Sequence, residues 1–464
     1  MRFYFCIVLI VLCFVFSSIC IAAKSPNLDF TLIKLGNGPR AVLVIGGIQG
    51  DEPGGFSAAT LLGTRYSIQE GSVWVVPNLN FPSIIRRARG VHGDMNRKFL
   101  KLDDNDPEYF TVNRIQGIIN SPDVSLVLNL HDGSGFYRPT YQNSLCNPKR
   151  WGQSVIIDQE NIDENLFMYA LSKEAEQVVE SVNRYLLKPL HIYHVYNTRT
   201  SEGNKEMEKS LSYYAMRKGK AAFGLEASKE FSVSQRVYYH LHLIEAFLNQ
   251  ANISFSRDFE LTPKGVEEAL QANLGVTFAD NRIFLPLEDI RSSINYFPMP
   301  KDGISKAVTS KPIMAVLPCQ DKDKKLCVHY GNRIITEIIP EWREIDNTIS
   351  SIRVSLDGKD EDIKFGQMVD INQSIKIYSK EGYRVNAIGF DSGKKDESGI
   401  FLKYRDFETR FSVDRRGTIF RVEVYKNQNF SGMFLVRFNK KNARNMVMKN
   451  ILPDSPGFES SLGF

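Results

Sequence analysis

Short apolar runs alternate with helical periodicity along the first 250 residues. An apolar run bounded by turn residues predicts a strand buried on both faces, and apolar positions three to four residues apart predict a helix. The alternation indicates an α/β fold with a mixed or parallel sheet flanked by helices. The predicted strands cover residues 41–45, 73–76, 124–130 and 221–225, and the predicted helices cover 54–64, 164–186 and 233–248.

The pattern changes after about residue 252. Residues 253–346 carry short strand-like pieces and proline-rich turns, which predict a small β-rich domain. From residue 347 to 464, short alternating strands separated by turn residues predict an immunoglobulin-like β-sandwich. We therefore expect three folded domains, at 24–252, 253–346 and 347–464.

The first residues indicate export. Arg2 precedes an apolar run, and the small residues Ala22 and Ala23 close the segment, which is the order of a signal peptide. We expect residues 1–23 to be removed; an uncleaved anchor helix is the alternative. No later segment is long and apolar enough to span a bilayer, so no membrane span is expected after cleavage.

The composition and net charge limit the classes of molecule that this protein is expected to bind. Hydrophobic residues make up 43% of the 464 and charged residues 24%, as in an ordinary globular protein. The net charge is only +5 and no basic run with interleaved aromatics occurs, so we expect no nucleic-acid partner. Cys319 and Cys327 flank a polar loop and are candidates for a hairpin disulfide in an oxidising compartment. Cys146 is then a free thiol.

Polar side chains follow the predicted strands of the first domain where those strands end. Gln49 and Glu52 follow the first strand, His131 ends the third, and Glu226 ends the fourth. In such sheets ligands gather beyond the carboxyl ends of the strands, so these side chains are expected to meet. Between them in sequence lies an Asp-Met-Asn-Arg motif at 94–97.

These motifs resemble those of the M14 zinc carboxypeptidases in order and spacing. That family pairs a His-x-x-Glu motif after the first buried strand with a distant strand-end His. An Asp-x-Asn-Arg motif lies between the two, and a strand-end Glu comes last. Here 94–97, His131 and Glu226 match directly, whereas Gln49 stands in place of the first His. The resemblance implies a carboxypeptidase-like mixed sheet flanked by helices.

The resemblance also implies one zinc ion per chain, held by Gln49, Glu52 and His131. A catalytic zinc has three protein ligands and one open position, which this set provides. An amide oxygen in place of a neutral imidazole keeps the charge of the site but weakens binding, because zinc prefers nitrogen or sulfur. Glu226 is implied as the base that takes a proton from the attacking water and returns it to the leaving amine.

Substrate-binding roles follow from the same resemblance. Asn96 and Arg97 correspond to the pair that binds the terminal carboxylate, for which a guanidinium fork is suited. Arg86 and Arg89 both lie where an arginine stabilises the oxyanion, and Arg89 leads directly into the motif. Asp94 is expected to contact the zinc ligands without binding the zinc ion itself.

The sequence leaves the roles of several other residues near the predicted site undecided. Asp132 is interpreted either as a hydrogen-bond partner of a ligand or as a turn-forming residue. A tyrosine that closes over the substrate could be Tyr196, Tyr213 or Tyr214, and residues 197–200 are candidate contacts for the substrate side chain.

The Gln variant, the leader peptide and the two β-rich domains together narrow the resemblance to the peptidoglycan DL-carboxypeptidases that set helical cell shape. This implies a periplasmic enzyme that removes the C-terminal meso-diaminopimelate from stem tripeptides (L-Ala-γ-D-Glu-mDAP) and leaves dipeptides. Its implied partners are stem peptides and cell-shape proteins.

Two alternatives remain. One is a zinc deacylase of N-acyl amino acids, against which the signal peptide counts. The other is a non-catalytic wall-binding scaffold, which the Gln49 substitution favours and the retained Glu226 disfavours.

Overall fold

A computed structural model describes residues 28–304, 306–320 and 324–439. The predicted signal peptide lies outside the described residues. Of the helices within these ranges, none combines the length and apolarity needed to cross a bilayer.

Strands and helices alternate through residues 28–271, as the apolar runs predict. The strands are β1 (Ile33–Gly36), β2 (Ala41–Ile45), β3 (Tyr66–Glu70), β4 (Ser72–Val76), β5 (Val124–Gly133), β6 (Phe136–Tyr137), β7 (Cys146–Asn147), β8 (Ser154–Ile157), β9 (His194–Asn197), β10 (Ala221–Ser228) and β11 (Ser254–Arg257). The helices are α1 (Pro53–Arg65), α2 (Phe81–Arg86), α3 (Tyr109–Ile119), α4 (Leu171–Val182), α5 (Leu211–Arg217), α6 (Val233–Gln250) and α7 (Pro263–Gln271).

A seven-stranded mixed sheet lies at the centre of this region, with strand order β1-β4-β2-β5-β10-β8-β9. The four central strands β4, β2, β5 and β10 are parallel, and β1 and β8 pair with them in the antiparallel sense. β2 and β4 are buried at every residue, because helices cover both faces of a parallel sheet. The α/β prediction is confirmed.

One predicted helix has different bounds in the structure. The helix expected over 164–186 begins at Leu171 and ends at Val182. Before it, the carboxylate of Asp163 accepts a hydrogen bond from the backbone N–H of Asn165 at 3.0 Å. This local turn satisfies the backbone in a way that competes with helix formation.

The second region is β-rich, as expected. Its strands are β12 (Gly275–Phe278), β13 (Ile283–Pro286), β14 (Ser293–Pro300), β15 (Val308–Thr309), β16 (Met314–Pro318), β17 (Leu326–Tyr330) and β18 (Arg333–Arg343). They form a three-stranded sheet, β13-β12-β15, and a four-stranded sheet, β14-β18-β17-β16. Cys319 and Cys327 form a disulfide at the β16–β17 hairpin, and Cys146 is buried and free.

The third region contains two four-stranded sheets that enclose a common core. Its strands are β19 (Ser351–Leu356), β20 (Lys359–Lys364), β21 (Met368–Ile371), β22 (Ser374–Ile377), β23 (Tyr383–Ala387), β24 (Phe401–Lys403), β25 (Ile419–Lys426) and β26 (Asn429–Phe438). The sheet orders are β20-β19-β22-β24 and β21-β26-β25-β23. Apolar residues from both sheets meet between them, including Val354, Phe420 and Phe434.

The three regions share buried apolar contacts. β25 and β26 are buried on both faces, so Val422 packs into the sandwich core while Ile419 packs against the second region. Phe56 of α1 packs into the same cluster as the second region, and its ring lies against Gly331. Helix α7, at 263–271, packs on the first core through Val266. The domain division at residues 252 and 346 stays a prediction.

Truncating Phe56 tests this shared core. Phe56 is 2% exposed, so we expect Phe56→Ala to lower the free energy of unfolding by about 3–5 kcal/mol, measured by urea denaturation. The matched control is Phe110→Ala, because Phe110 is 84% exposed and its loss should change stability by less than about 0.5 kcal/mol. Equal effects from the two variants would contradict the packing described here.

Candidate active site

Three polar side chains converge at the carboxyl ends of β2 and β5. Nδ1 of His131 lies 3.2 Å from Oε1 of Gln49 and 3.0 Å from Oε2 of Glu52, and all three residues are buried. Donor atoms around a tetrahedral metal ion lie roughly 3.3 Å apart, because each is about 2.0–2.2 Å from the ion. The two distances from Nδ1 of His131 are therefore close to those expected between ligands of one ion.

The turn that carries Gln49 and Glu52 packs tightly against α2. A Cβ atom on Gly50 would lie 2.0 Å from the carbonyl carbon of Ser83, so only glycine fits here. The backbone N–H of Gly50 donates to the carbonyl of Ala88 at 3.0 Å. Pro53 then starts α1 directly after Glu52. Backbone packing on both sides thus fixes the turn that carries the two candidate ligands.

Asp94 determines which end of the Gln49 amide faces the histidine. Its Oδ1 atom accepts a hydrogen bond from Nε2 of Gln49 at 2.8 Å, which leaves Oε1 of Gln49 directed at His131. Its Oδ2 atom accepts from Nε of Arg89 at 3.0 Å. Burial raises the pKa of the Asp94 carboxyl, but the hydrogen bond from Gln49 and the charge of Arg89 outweigh it and hold this pKa below its ordinary value. Asp94 is therefore an ionised acceptor.

Asp132 supports Glu52 through its backbone. Its N–H lies 3.2 Å from Oε2 of Glu52 and donates to it. The side chain instead accepts from the N–H of Gly54 at 2.8 Å and from Arg236 at 3.0 Å, and it lies 3.2 Å from Nε2 of His240. Among the described contacts the Asp132 carboxylate does not touch a ligand side chain; it ties the start of α1 to α6.

Glu226 lies beside His131. The two residues are register partners on the neighbouring parallel strands β10 and β5, so their side chains point the same way. Glu226 is buried, and its Oε2 atom has no hydrogen-bond partner within the described part of the chain. Burial raises the pKa of Glu226 well above its ordinary value, and the carboxylates of Glu52 and Asp132 raise it further against the opposing charges of Lys229 and Arg89.

These groups line a cavity of about 250 Å³. Arg89 and Arg97 line it too, and the side chain of Arg97 is 29% exposed. Oδ1 of Asn96 accepts from the backbone N–H of Leu211 at 2.9 Å, which turns the amide nitrogen toward His131. Arg86 does not line this cavity, because the left-handed residue Arg87 ends α2 and redirects the chain before Arg89.

The sequence analysis did not single out several of the lining residues, among them Trp151, Asp158 and Lys229. Asp158 follows β8 directly, so the rule that polar residues at strand ends carry function would have found it. It is buried and accepts a hydrogen bond from the Thr200 hydroxyl at 2.5 Å, which places Thr200 behind the cavity wall. The candidate tyrosines 196, 213 and 214 do not line the cavity.

A metal ion bound here would need the Gln49 amide as its third ligand. Within the described ranges, no three side chains drawn only from His, Cys, Asp and Glu form a cluster of metal-binding size. The donor set is one imidazole, one carboxylate and one amide oxygen, beside a buried carboxylate and two arginines. A mixed α/β sheet with this site is compatible with the class of metal-dependent hydrolases that act on substrates carrying a carboxylate.

Comparison with known families places the chain within that class. Residues 1–271 match the catalytic domain of carboxypeptidases controlling helical cell shape, 271–344 match the β-barrel domain of the same carboxypeptidases, and 345–439 match a C-terminal domain of metallo-carboxypeptidases. The chain therefore belongs to the family of carboxypeptidases that control helical cell shape, and the predicted resemblance is confirmed.

Solved structures of the cell shape determinant protein Csd4 from Helicobacter pylori resemble this chain over most of its length. The apo and tripeptide-bound structures are 40% identical to it, cover 89% of this chain and 100% of their own, and give TM-scores of 0.82. A structure bound to mDAP and described as a D,L-carboxypeptidase is also 40% identical, with 88% and 100% coverage and a TM-score of 0.82. No curated protein sequence matches the chain.

Removing the Asp94 carboxylate tests its role in orienting Gln49. We expect Asp94→Ala to lower the affinity for a divalent metal by about 10–100-fold, because the amide then loses its fixed orientation. Competition with a chromophoric chelator measures the affinity. The control is Asp104→Ala at an exposed position, which should bind metal as the wild type does. Unchanged affinity in Asp94→Ala would show that Gln49 is oriented by other contacts.

Proposed function

We propose that this protein is a periplasmic zinc DL-carboxypeptidase that removes C-terminal meso-diaminopimelate from peptidoglycan stem tripeptides. The observation that carries the proposal is the convergence of Gln49, Glu52 and His131 beside the buried carboxyl group of Glu226. The tripeptide-bound and mDAP-bound structures of the 40% identical relative support the substrate. The predicted signal peptide supports the location, since the substrate lies outside the cytoplasm.

Gln49, Glu52 and His131 would hold the zinc ion, which when bound supplies Lewis acidity at the scissile carbonyl. The amide oxygen carries no charge, so Glu52 provides the anionic ligand of the set. Arg89 and Lys229 lie 3.5 and 3.7 Å from Oε1 of Glu52 and balance the carboxylates around the site. The hydrogen bond to Asp94 keeps the Gln49 oxygen directed at the position that the zinc ion would occupy.

Glu226 would act as the proton shuttle. Its buried, unpartnered oxygen would accept a proton from the attacking water and return it to the leaving amine of diaminopimelate. The amide bond between γ-D-Glu and diaminopimelate breaks, and the new carboxyl group stays on the dipeptide. A raised pKa suits the first half of this exchange, because it makes the carboxylate a stronger base toward the attacking water.

Arg97 and Asn96 would bind the terminal carboxylate. The guanidinium of Arg97 is held by a hydrogen bond to the carbonyl of Asn96 at 2.9 Å and still has free N–H groups for a carboxylate. Arg89 lines the cavity with its side chain 50% exposed and would stabilise the oxyanion. The requirement for a terminal carboxylate then follows from these side chains.

The variant Glu226→Gln tests the catalytic role. We expect it to lower the rate of tripeptide hydrolysis by about 10²–10⁴-fold and to keep metal binding, because the amide cannot take up the proton. Mass spectrometry of digested muropeptides should show loss of one diaminopimelate from tripeptides by the wild type, and chelator should block it. The control is Glu230→Gln at an exposed position near the end of the same strand. Unchanged hydrolysis by Glu226→Gln would contradict the catalytic role of Glu226. Absence of hydrolysis by the wild type would favour the scaffold, and cleavage of N-acyl amino acids alone would favour the deacylase.

The pH dependence of hydrolysis should reflect the buried carboxyl group. The base acts only when ionised, so kcat/KM should fall as pH falls through the pKa of Glu226. Because burial raises this pKa, the acidic limb should lie above the ordinary glutamate value of about 4.3. Glu230→Gln should keep the wild-type limb. A limb at or below the ordinary value would contradict the assignment of Glu226 as the base.

A further inference from the structure

A second and larger cleft lies between the β-rich region and the sandwich. Its volume is about 1000 Å³, and none of the residues that line it also lines the active-site cavity. Strand β18 contributes Glu341 and Arg343 to one side, while β23 and β25 contribute Arg384, Arg421 and Glu423 to the other. A space of this size accommodates a ligand as large as a tripeptide.

The floor of this cleft carries a buried carboxylate that its neighbours satisfy only in part. Glu423 is 3% exposed, and its Oε2 atom accepts a hydrogen bond from the Tyr425 hydroxyl at 2.7 Å. Its Oε1 atom has no hydrogen-bond partner in the described part of the chain; Nε of Arg421 lies 3.4 Å away. An unsatisfied buried acceptor is costly, so this oxygen is suited to a donor that enters from the cleft.

Basic groups face the same space. Nε of Arg343 is buried and lacks a hydrogen-bond partner among the described residues, while its Nη2 atom pairs with Glu341. The guanidinium of Arg384 lies 4.2 Å from the ring centre of Tyr425. Basic side chains outnumber acidic ones seven to five around the cleft. Unsatisfied atoms of opposite charge in one cleft fit a ligand that carries both signs.

We propose that this cleft is a second, non-hydrolytic site for a short peptide that carries at least two carboxylates and a free ammonium group. The carboxylates bind Arg343 and Arg384, and the ammonium group donates to Oε1 of Glu423. A stem tripeptide ending in diaminopimelate has this chemistry, and that choice of peptide rests on the proposed function. A purely anionic polymer fits less well, because it would place further negative charge against Glu423.

Calorimetric titration of full-length Glu226→Gln with L-Ala-γ-D-Glu-mDAP tests the proposal without turnover. The expected stoichiometry is two peptides per chain. Adding Arg97→Met should remove the active-site peptide only, and adding Arg343→Gln should remove the cleft peptide only. Acetylation of the diaminopimelate amine should abolish cleft binding. Arg353→Gln is the matched control and should keep both peptides, because the Arg353 side chain is exposed and lies on a strand of the other sandwich sheet.

The outcomes separate this inference from the proposed function. If only one peptide binds per chain, and Arg97→Met removes it whereas Arg343→Gln does not, the second site is overturned. The proposed function stays intact in that case. If only one peptide binds, and Arg343→Gln removes it whereas Arg97→Met does not, the cleft site is supported. The proposed substrate of the active site is then contradicted. No binding would overturn both.

A second variant guards against misfolding. If Arg343→Gln lowers the melting temperature, Arg384→Gln replaces it with the same expectation. In the wild-type background either variant should hydrolyse free tripeptide at the wild-type rate. Loss of hydrolysis in a variant that folds normally would contradict a separate site.

Discussion

The hydrogen bond between Gln49 and Asp94 is the contact on which the site depends. A glutamine can present either end of its amide, and only the oxygen can ligate a metal. Asp94 accepts from the amide nitrogen at 2.8 Å, and its ionised form is stabilised by the same bond and by Arg89. The orientation of an uncharged ligand is thereby set by a charged neighbour. All three candidate ligand residues are buried, so packed protein holds the weak oxygen donor in place while the cavity leaves room for the attacking water.

The sheet supplies the precision that this arrangement needs. His131 and Glu226 are register partners on adjacent parallel strands, so their spacing is a property of the backbone. Gly50 lets the ligand-bearing turn lie against the backbone of α2, and the carboxylate of Asp132 joins α1 to α6 behind the site. Sites built on packed elements hold their geometry better than sites on free loops. The core shared through Phe56 extends this support to the β-rich region.

Much of the fold and of the site follows from residue patterns, and the exceptions have physical causes. Buried parallel strands are continuous apolar runs, so β2, β4, β5 and β10 were predictable, as were the polar residues at their ends. The direction of a side chain is not readable from sequence. The sequence therefore could not show that the Asp132 carboxylate bonds to α1 and α6. It also could not show that Arg89 lines the cavity and Arg86 does not. Trp151 reaches the cavity from a segment without a periodic signal.

X-ray absorption spectroscopy of the zinc-loaded protein tests the central claim most directly. The ligand set described here predicts a first shell of nitrogen and oxygen atoms at about 2.0–2.2 Å with a single imidazole, from His131. In Gln49→His the spectrum should gain a second imidazole at the same metal occupancy. A wild-type shell with two or more imidazoles, or with sulfur, would show that the metal binds elsewhere and would contradict the role of the Gln49 amide.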